Sequence, residues 1–171
     1  MPNIHLESKI RDLLHHLQAV LKMKKTIVGR RLIKEMGING ATADGDHAIP
    51  MVATRDIAAV AAKYLAGQDL KGKNVLPILG ERDYSFNELT RIIGKAIGKP
   101  DLQYVQFPVE QAKRATVAQG LSSDIADDIT QMETSLKNGI MNYEPRMSAN
   151  SSPTSAESFV DDIFVPLYRS L

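Results

Sequence analysis

The clearest structural signal in the chain lies in residues 74–107, which read NVLPILGERDYSFNELTRIIGKAIGKPDLQYVQF. Ser85 and Glu88 fit a capping box, in which a serine caps the helix N-terminus and a glutamate follows three residues later. An apolar stripe with helical spacing comes next and consists of Phe86, Leu89, Ile92, Ile93, Ala96 and Ile97. Gly98 ends the pattern and Pro100 prevents its resumption, so the sequence predicts one well-bounded amphipathic helix here.

Strand signals flank this helix. Residues 102–107 alternate as a strand, and residues 74–79 form a short apolar run. Because proline cannot donate to a ladder, Pro77 places the second of these strands at a sheet edge or makes it irregular. Residues 48–53 predict another strand, and a helix over residues 54–67 follows it directly. This alternation indicates an α/β fold.

The remaining segments are mostly helical. Residues 4–23 and 30–36 are predicted as helices, with a short β-type run at 26–28 and a Gly-, Asn- and Asp-rich loop at 37–47. Towards the C-terminus, the predicted elements are helices at 109–119 and after Ser123, a loop at 142–153, and a last helix opened by a capping box at Thr154–Glu157. Few short strands and many helices therefore predict an α/β chain with a thin sheet.

Composition narrows the function classes. The 171 residues predict a single domain, and a formal net charge of +1 argues against a nucleic-acid partner, which would need a concentrated basic surface. The absence of cysteine excludes disulfides and thiolate metal sites. There is no apolar run long enough for a membrane span and no signal-peptide pattern at residues 1–12, so a cytoplasmic location is expected.

Four passages within residues 48–171 carry a family resemblance. They are Ile49–Ala58 (IPMVATRDIA), Leu79–Glu88 with Ile93–Pro100 (LGERDYSFNE and IGKAIGKP), Tyr104–Pro108 (YVQFP) and Pro153–Phe159 (PTSAESF). In this order and spacing they resemble the C-terminal half of NmrA-like proteins, a branch of the atypical short-chain dehydrogenase/reductases. His15–Ala19 is similar to the helix that precedes this half.

The resemblance implies an NAD(P)-binding Rossmann-like α/β fold, partial in this chain, whose N-terminal half holds NADP(H) and whose C-terminal half covers the substrate. Members are reductases of quinones and other small molecules, or redox sensors that bind the dinucleotide without turning it over. Residues 1–47 diverge from this pattern, because an amphipathic helix is predicted where the glycine-rich strand-turn-helix belongs. We therefore expect a truncated binding module that holds no cofactor by itself. The alternative is an NADP(H)-dependent reductase of a quinone or similar carbonyl compound, or a redox-sensing regulatory protein.

One segment offers a dinucleotide site of its own. Gly37–Gly45 superficially resembles a glycine-rich fingerprint, with Asp56 downstream. A pyrophosphate needs a helix N-terminus entered from a buried strand, whereas the preceding residues 30–36 are charged. Too few residues follow the glycines for a parallel crossover. We therefore expect a surface loop and no cofactor-binding residue.

Five residues are candidates for substrate binding, namely Arg55, Arg82, Tyr84, Tyr104 and Phe107. Those near strand ends lie where α/β folds usually bind ligands, and the aromatic rings suit a flat ligand. The alternative for each is structural: a helix-end or loop position for the arginines, and packing for the aromatic residues.

Catalytic residues are not identified by the sequence. The tyrosine-lysine pair of typical short-chain dehydrogenases is missing, since none of the five tyrosines is followed by a lysine four residues later. The four histidines form no metal-ligand pattern, so no metal site is expected. A thin sheet would leave an open edge and uncovered helix faces, so a second copy or a partner chain is expected.

Overall fold

A computed structural model describes residues 17–19, 21–22, 29–67, 75–118, 120–137 and 144–171. The strands are β1 (Leu17–Ala19), β2 (Leu21–Lys22), β3 (Ile38–Ala41), β4 (Ala48–Val52), β5 (Leu76–Ile78), β6 (Asp83–Ser85) and β7 (Gln103–Gln106). The helices are α1 (Arg30–Met36), α2 (Thr54–Gly67), α3 (Phe86–Ala96), α4 (Val109–Ala118), α5 (Ser123–Lys137), α6 (Ala156–Phe159), a π-helical segment (Val160–Phe164) and α7 (Val165–Arg169).

The strands pair mainly in parallel. In the described residues β1 pairs with β5, β2 with β4, and β3 with β7, all in parallel, while β6 adds to β4 in antiparallel orientation. Helices α1, α2 and α3 connect β2 to β3, β4 to β5 and β6 to β7. The predicted mixed α/β class with few short strands is confirmed.

The helix predicted over residues 4–23 is wrong in the part that the structure describes. Residues 17–19 and 21–22 are strands and not part of a helix, because parallel partners β5 and β4 take up their backbone hydrogen bonds. A short apolar run suits a buried strand as well as a helix, so the leucine spacing did not decide between them. The rest of residues 4–23 and the run at 26–28 lie outside the described residues.

The predicted loop at 37–47 is wrong over Ile38–Ala41, which form β3 against β7. Gly40 permits this pairing, because a Cβ there would lie 2.5 Å from the Val105 carbonyl oxygen and 2.6 Å from the Phe107 ring. Close approach of two backbones, and not a flexible loop, explains the glycine.

The central helix agrees with its prediction. Ser85 caps α3, where its hydroxyl accepts the Glu88 backbone N–H at 3.1 Å, and Gly98 after the helix has a left-handed φ of 74°. Pro77 lies inside β5, which has one strand partner within the described part of the chain, as its proline predicts. The strand at 102–107 and the helix at 54–67 are also confirmed.

The capping box predicted at Thr154 is displaced by one residue. Ser155 is the N-cap of α6, and its hydroxyl accepts the Ser158 backbone N–H at 3.1 Å. The Thr154 hydroxyl donates instead to Asp56, on a helix far away in sequence. Because the Thr154 hydroxyl bonds to Asp56, Ser155 and not Thr154 caps the helix.

The core lies where α3 and the C-terminal helical segments meet the strands β4 and β6. Its buried apolar residues are Ile33, Ile49, Met51, Ala53, Tyr84, Leu89, Ile93, Leu102, Ala156, Phe159, Val160, Phe164 and Val165. The π-helical segment stands just before Pro166, which lacks the N–H of a normal helical turn.

Candidate functional site

Arg55 lies in the first turn of α2 and contacts the start of the C-terminal helical segments. Its Nε donates to the Thr154 hydroxyl at 3.1 Å, and its terminal nitrogens reach Ser158 Oγ at 3.0 Å and Asp162 Oδ2 at 2.9 Å. The hydrogen bond from Arg55 lowers the pKa of Asp162 below its ordinary value. Arg55 thus links α2 to the C-terminal helical segments, and 46% of its side chain remains exposed.

Arg82 lies over the ring of Tyr84. Its guanidinium carbon is 3.9 Å from the ring centroid, a cation–π distance. The guanidinium also pairs with both oxygens of Glu88, at 2.7 and 3.1 Å. This pairing raises the pKa of Arg82 and lowers that of Glu88, which also accepts the Ser85 backbone N–H.

Tyr84 is buried and its hydroxyl is fully used. The hydroxyl donates to Glu81 Oε2 at 3.0 Å and accepts the Ala156 backbone N–H at 3.1 Å. Burial is the main reason that the pKa of Tyr84 is raised. Tyr84 therefore joins β6 to the beginning of α6, and Arg82 covers its ring.

Tyr104 and Phe107 lie in a second neighbourhood, on and just after β7. The Tyr104 hydroxyl donates to the Ala43 carbonyl oxygen at 2.8 Å, and its ring stacks on Phe86 with centroids 5.5 Å apart. Phe107 lies against Gly40 of β3. Both aromatic residues hold β7, β3 and the segment after β3 together.

The structure thus divides the five candidates. Arg55 and Tyr84 contact the first turn of the C-terminal helical segments and Arg82 lies over the Tyr84 ring, whereas Tyr104 and Phe107 lie at the β3–β7 pair. Sequence analysis missed the residues that accept hydrogen bonds from the side chains of Tyr84 and Arg55. Glu81 accepts from Tyr84, and Thr154, Ser158 and Asp162 accept from Arg55. It also missed Arg146, which binds the Gly80 carbonyl oxygen and Asp83. These polar residues are far apart in sequence and meet only in the folded chain, so no local sequence pattern predicts their contacts.

The glycine-rich segment does not fit a dinucleotide. Ile38–Ala41 are a strand paired along its length with β7, and the space beside Gly40 is filled by Val105 and Phe107. The space beside Gly45 is filled by Asn87 and Tyr104. Neighbouring residues therefore occupy the space at Gly40 and Gly45, and the segment leads into the strand β4 and not directly into a helix N-terminus.

Two concave regions are present on the described surface. One is a cavity of about 150 Å³ between α2, β5 and the loop before α6, lined among others by Val60, Ile78 and Pro153. The other is an open depression of about 320 Å³ beside Gly37 and Gly98. Neither contains any of the five candidate residues.

Within the described ranges no group of three or more histidines, aspartates or glutamates is placed to hold a metal ion. No helix among them has the length and apolar character needed to cross a membrane.

The chain is similar in sequence to part of two known proteins. No protein-family model matches it. The NAD(P)H azoreductase of Xenophilus azovorans is 26% identical over 117 residues, which are 66% of this chain and 40% of that protein. Prestalk A differentiation protein A of Dictyostelium discoideum is 24% identical over 93 residues, 54% of this chain and 30% of that protein.

Solved structures agree on the fold. An NADPH-dependent quinone oxidoreductase of Escherichia coli, determined with NADPH, superposes with a TM-score of 0.67 at 19% identity, covering 86% of this chain and 52% of that one. The triphenylmethane reductase of Citrobacter sp., determined with NADP(H), gives 0.65 at 19% identity, covering 84% and 50%. The chain thus shares the fold of part of these two proteins and spans about half the length of each.

Proposed function

We propose that this chain is the substrate-side part of an NmrA-like, NAD(P)H-dependent reductase and binds a small planar acceptor such as a quinone or an azo compound. The observation that carries the proposal is the fold, which matches a quinone oxidoreductase and a triphenylmethane reductase over more than four-fifths of this chain but only about half of theirs. The glycine-rich segment Gly37–Gly45 forms the strand β3 over Ile38–Ala41 and not the strand-turn-helix expected from the family.

The ligand contacts that we propose are two arginines, Arg55 at the start of the C-terminal helical segments and Arg82 over the Tyr84 ring. Arg55 and Arg82 keep 46% and 44% of their side chains exposed, so their remaining N–H groups are accessible. A guanidinium suits a carbonyl or sulfonate oxygen and also stacks on a flat ring. Tyr84 supports Arg82 from below, and we assign Tyr104 and Phe107 to packing between β3 and β7.

The nicotinamide nucleotide, when bound, supplies the hydride, and in this proposal it is held by polypeptide other than the residues described here. The side chains and backbone that fill the space beside Gly40 and Gly45 support this assignment. The contribution of this chain is to position the acceptor and to neutralise charge on its oxygen atoms through Arg55 and Arg82.

Calorimetric titration of the purified chain with menadione and with methyl red tests the proposal. We expect saturable binding of at least one of them, weakened several-fold by Arg82→Ala and unchanged by Arg169→Ala, an exposed arginine of α7 that serves as the matched control. Failure of both compounds to bind, or equal effects of the two variants, would overturn the assignment.

A second candidate is reductase activity of this chain by itself, favoured by the 117-residue match to the azoreductase. Titration of NADPH followed by its own fluorescence separates the two. We expect no saturable binding. Micromolar binding, together with NADPH consumption in the presence of menadione, would replace the first proposal with the second.

A further inference from the structure

We propose that Arg82 and Glu157 select the acceptor by its chemistry, so that an azo compound with an amino group on its ring is bound in preference to a quinone; this rests on the function proposed above. The guanidinium of Arg82 shows a flat, cationic face to solvent, and the carboxylate of Glu157 lies near it. A cationic face attracts an electron-rich ring, and a carboxylate accepts a hydrogen bond from an amino group. A quinone offers neither.

The guanidinium of Arg82 lies flat on the ring of Tyr84. Its central carbon is 3.9 Å from the ring centroid. Since the guanidinium nitrogens are about 1.3 Å from that carbon, an upright guanidinium would place one of them about 2.6 Å from the ring centre, closer than non-bonded atoms approach. Tyr84 is buried, whereas 44% of the Arg82 side chain is exposed. The face of Arg82 that points away from Tyr84 is therefore open to solvent.

The hydrogen-bonding edge of Arg82 is mostly occupied. Its two terminal nitrogens bind the two carboxylate oxygens of Glu88 at 2.7 and 3.1 Å, and Nη1 also donates to the Asp83 carbonyl oxygen at 3.2 Å. These bonds use both N–H groups of Nη1 and one of Nη2. Glu88 is thus a positioning residue, because it holds the edge of Arg82 and leaves the face available to a ligand ring.

Glu157 supplies the second part of the selection. It is exposed in the first turn of α6, and its charge is close enough to raise the pKa of Arg82. No hydrogen bond or ion pair joins its carboxylate to another of the described residues. An amino group on a ring that stacks over Arg82 can donate to this carboxylate. The carbonyl oxygens of a quinone cannot, since they only accept hydrogen bonds.

The faces of the two acceptor classes also differ in charge. An amino group donates electrons to an aromatic ring, which makes the face of the ring more negative and strengthens its attraction to a guanidinium. The two carbonyl groups of a quinone withdraw electrons from the ring and weaken that attraction. The open face of Arg82 and the carboxylate of Glu157 therefore favour the same class of acceptor.

Equilibrium dialysis of the full chain against 4-aminoazobenzene and against menadione, each measured by its own absorbance, tests the selection. We expect the azo compound to bind about tenfold more tightly. Arg82→Lys keeps the charge without the flat face, and Glu157→Ala removes the acceptor. Each is expected to weaken binding of the azo compound several-fold and not that of menadione. Arg169→Lys and Glu35→Ala, at exposed positions of α7 and α1, are the matched controls and are expected to change neither.

Glu88→Ala tests how the guanidinium is held. It frees the terminal nitrogens of Arg82 to turn towards a carbonyl oxygen, while the Ser85 cap, which uses the Glu88 backbone N–H, is kept. We expect menadione to bind several-fold more tightly and the azo compound several-fold less tightly than to the wild type. If Glu88 were merely structural, both affinities would change alike, and that result would refute its positioning role.

Two further results are decisive. Menadione binding as tightly as 4-aminoazobenzene, or a preference that Arg82→Lys and Glu157→Ala leave intact in variants shown to be folded by circular dichroism, overturns the choice of acceptor and leaves the substrate-side function standing. Failure of the wild-type chain to bind 4-aminoazobenzene, menadione and methyl red overturns both.

Discussion

The Asp56 carboxylate accepts both the backbone N–H and the side-chain hydroxyl of Thr154, 98 residues later in the chain, at 3.2 and 2.8 Å. Both residues are buried. Together with Arg55, which also contacts Thr154, this pair fixes the first turn of α2 against the segment that leads into α6. These hydrogen bonds explain why the Asp56 carboxylate is buried in the first turn of α2.

Asp56→Ala is expected to lower the free energy of unfolding by about 2 kcal/mol, since it leaves the buried Thr154 donors without an acceptor. Urea denaturation measures the change, and Asp161→Ala, an exposed aspartate of the π-helical segment, is the control. Thr154→Val combined with Asp56→Ala is expected to cost less than the sum of the two single changes. Additive effects would show that the two residues do not act as a pair.

Gly40→Ala is expected to destabilise the protein by about 2 kcal/mol or more, because the new methyl group would press against the Val105 carbonyl and the Phe107 ring. Gly98→Ala is the comparison, since it faces open space and costs only the left-handed backbone strain, about 1 kcal/mol. Thermal unfolding of both variants tests the order. If Gly98→Ala proves the more damaging, β3 and β7 do not approach as closely as described.

The Arg82–Glu88 pair predicts a small pH dependence of stability. The pKa of Glu88 is lowered in the folded protein, chiefly by its hydrogen bonds with Arg82, so the pair stabilises the fold above the unfolded pKa of glutamate. This stability is lost as the pH falls through the folded pKa. Because both side chains are partly exposed, the contribution is expected to stay below about 1 kcal/mol.

Urea titrations between about pH 5 and pH 3 measure this contribution. Glu88→Gln is expected to flatten the loss of stability in that window, whereas Glu35→Gln, at an exposed position of α1, is expected to leave it as in the wild type. Identical pH profiles for the Glu88 variant and the wild-type chain would refute the expectation.

Tyr84→Phe is expected to cost about 1–2 kcal/mol of stability, because the first amide of α6 loses its acceptor and Glu81 its donor. Tyr64→Phe, which removes a half-buried hydroxyl on α2, is expected to change stability little. A variant with unaltered stability but weaker menadione binding would instead place the Tyr84 hydroxyl in direct contact with the ligand.

Local signals predicted the central part of the fold well. The capping serine Ser85, the apolar stripe behind it and Gly98 all act within a few residues, so the bounds of α3 followed from the sequence. The two strands that were predicted as helix and as loop pair with distant parts of the chain. Leu17–Ala19 became a strand because β5 offers a parallel edge, and Ile38–Ala41 because β7 does.

The sequence predicted which residues form the candidate site but not how they are arranged. Arg82 and Tyr84 are close in sequence and were expected near the end of β5, but the partner of Tyr84 is Ala156, 72 residues away. Nothing in the local pattern of Thr154–Glu157 shows that Thr154 serves Asp56 while Ser155 caps the helix. Contacts over such separations depend on how the chain folds back, which helical and strand periodicity do not encode.

The wide turn at Val160–Phe164 changes the phase of the C-terminal helical segments. A π turn holds one more residue than an α turn, so everything after it is rotated by roughly 100°. This rotation turns Phe164 towards the interior and leaves Leu167 partly exposed. Tyr168, one helical turn after Phe164, stacks on it and has its ring centroid 6.0 Å from the Lys34 ammonium and 5.9 Å from that of Lys99. Deleting a single residue from this turn would rotate the aromatic pair out of the core without altering any residue of α7.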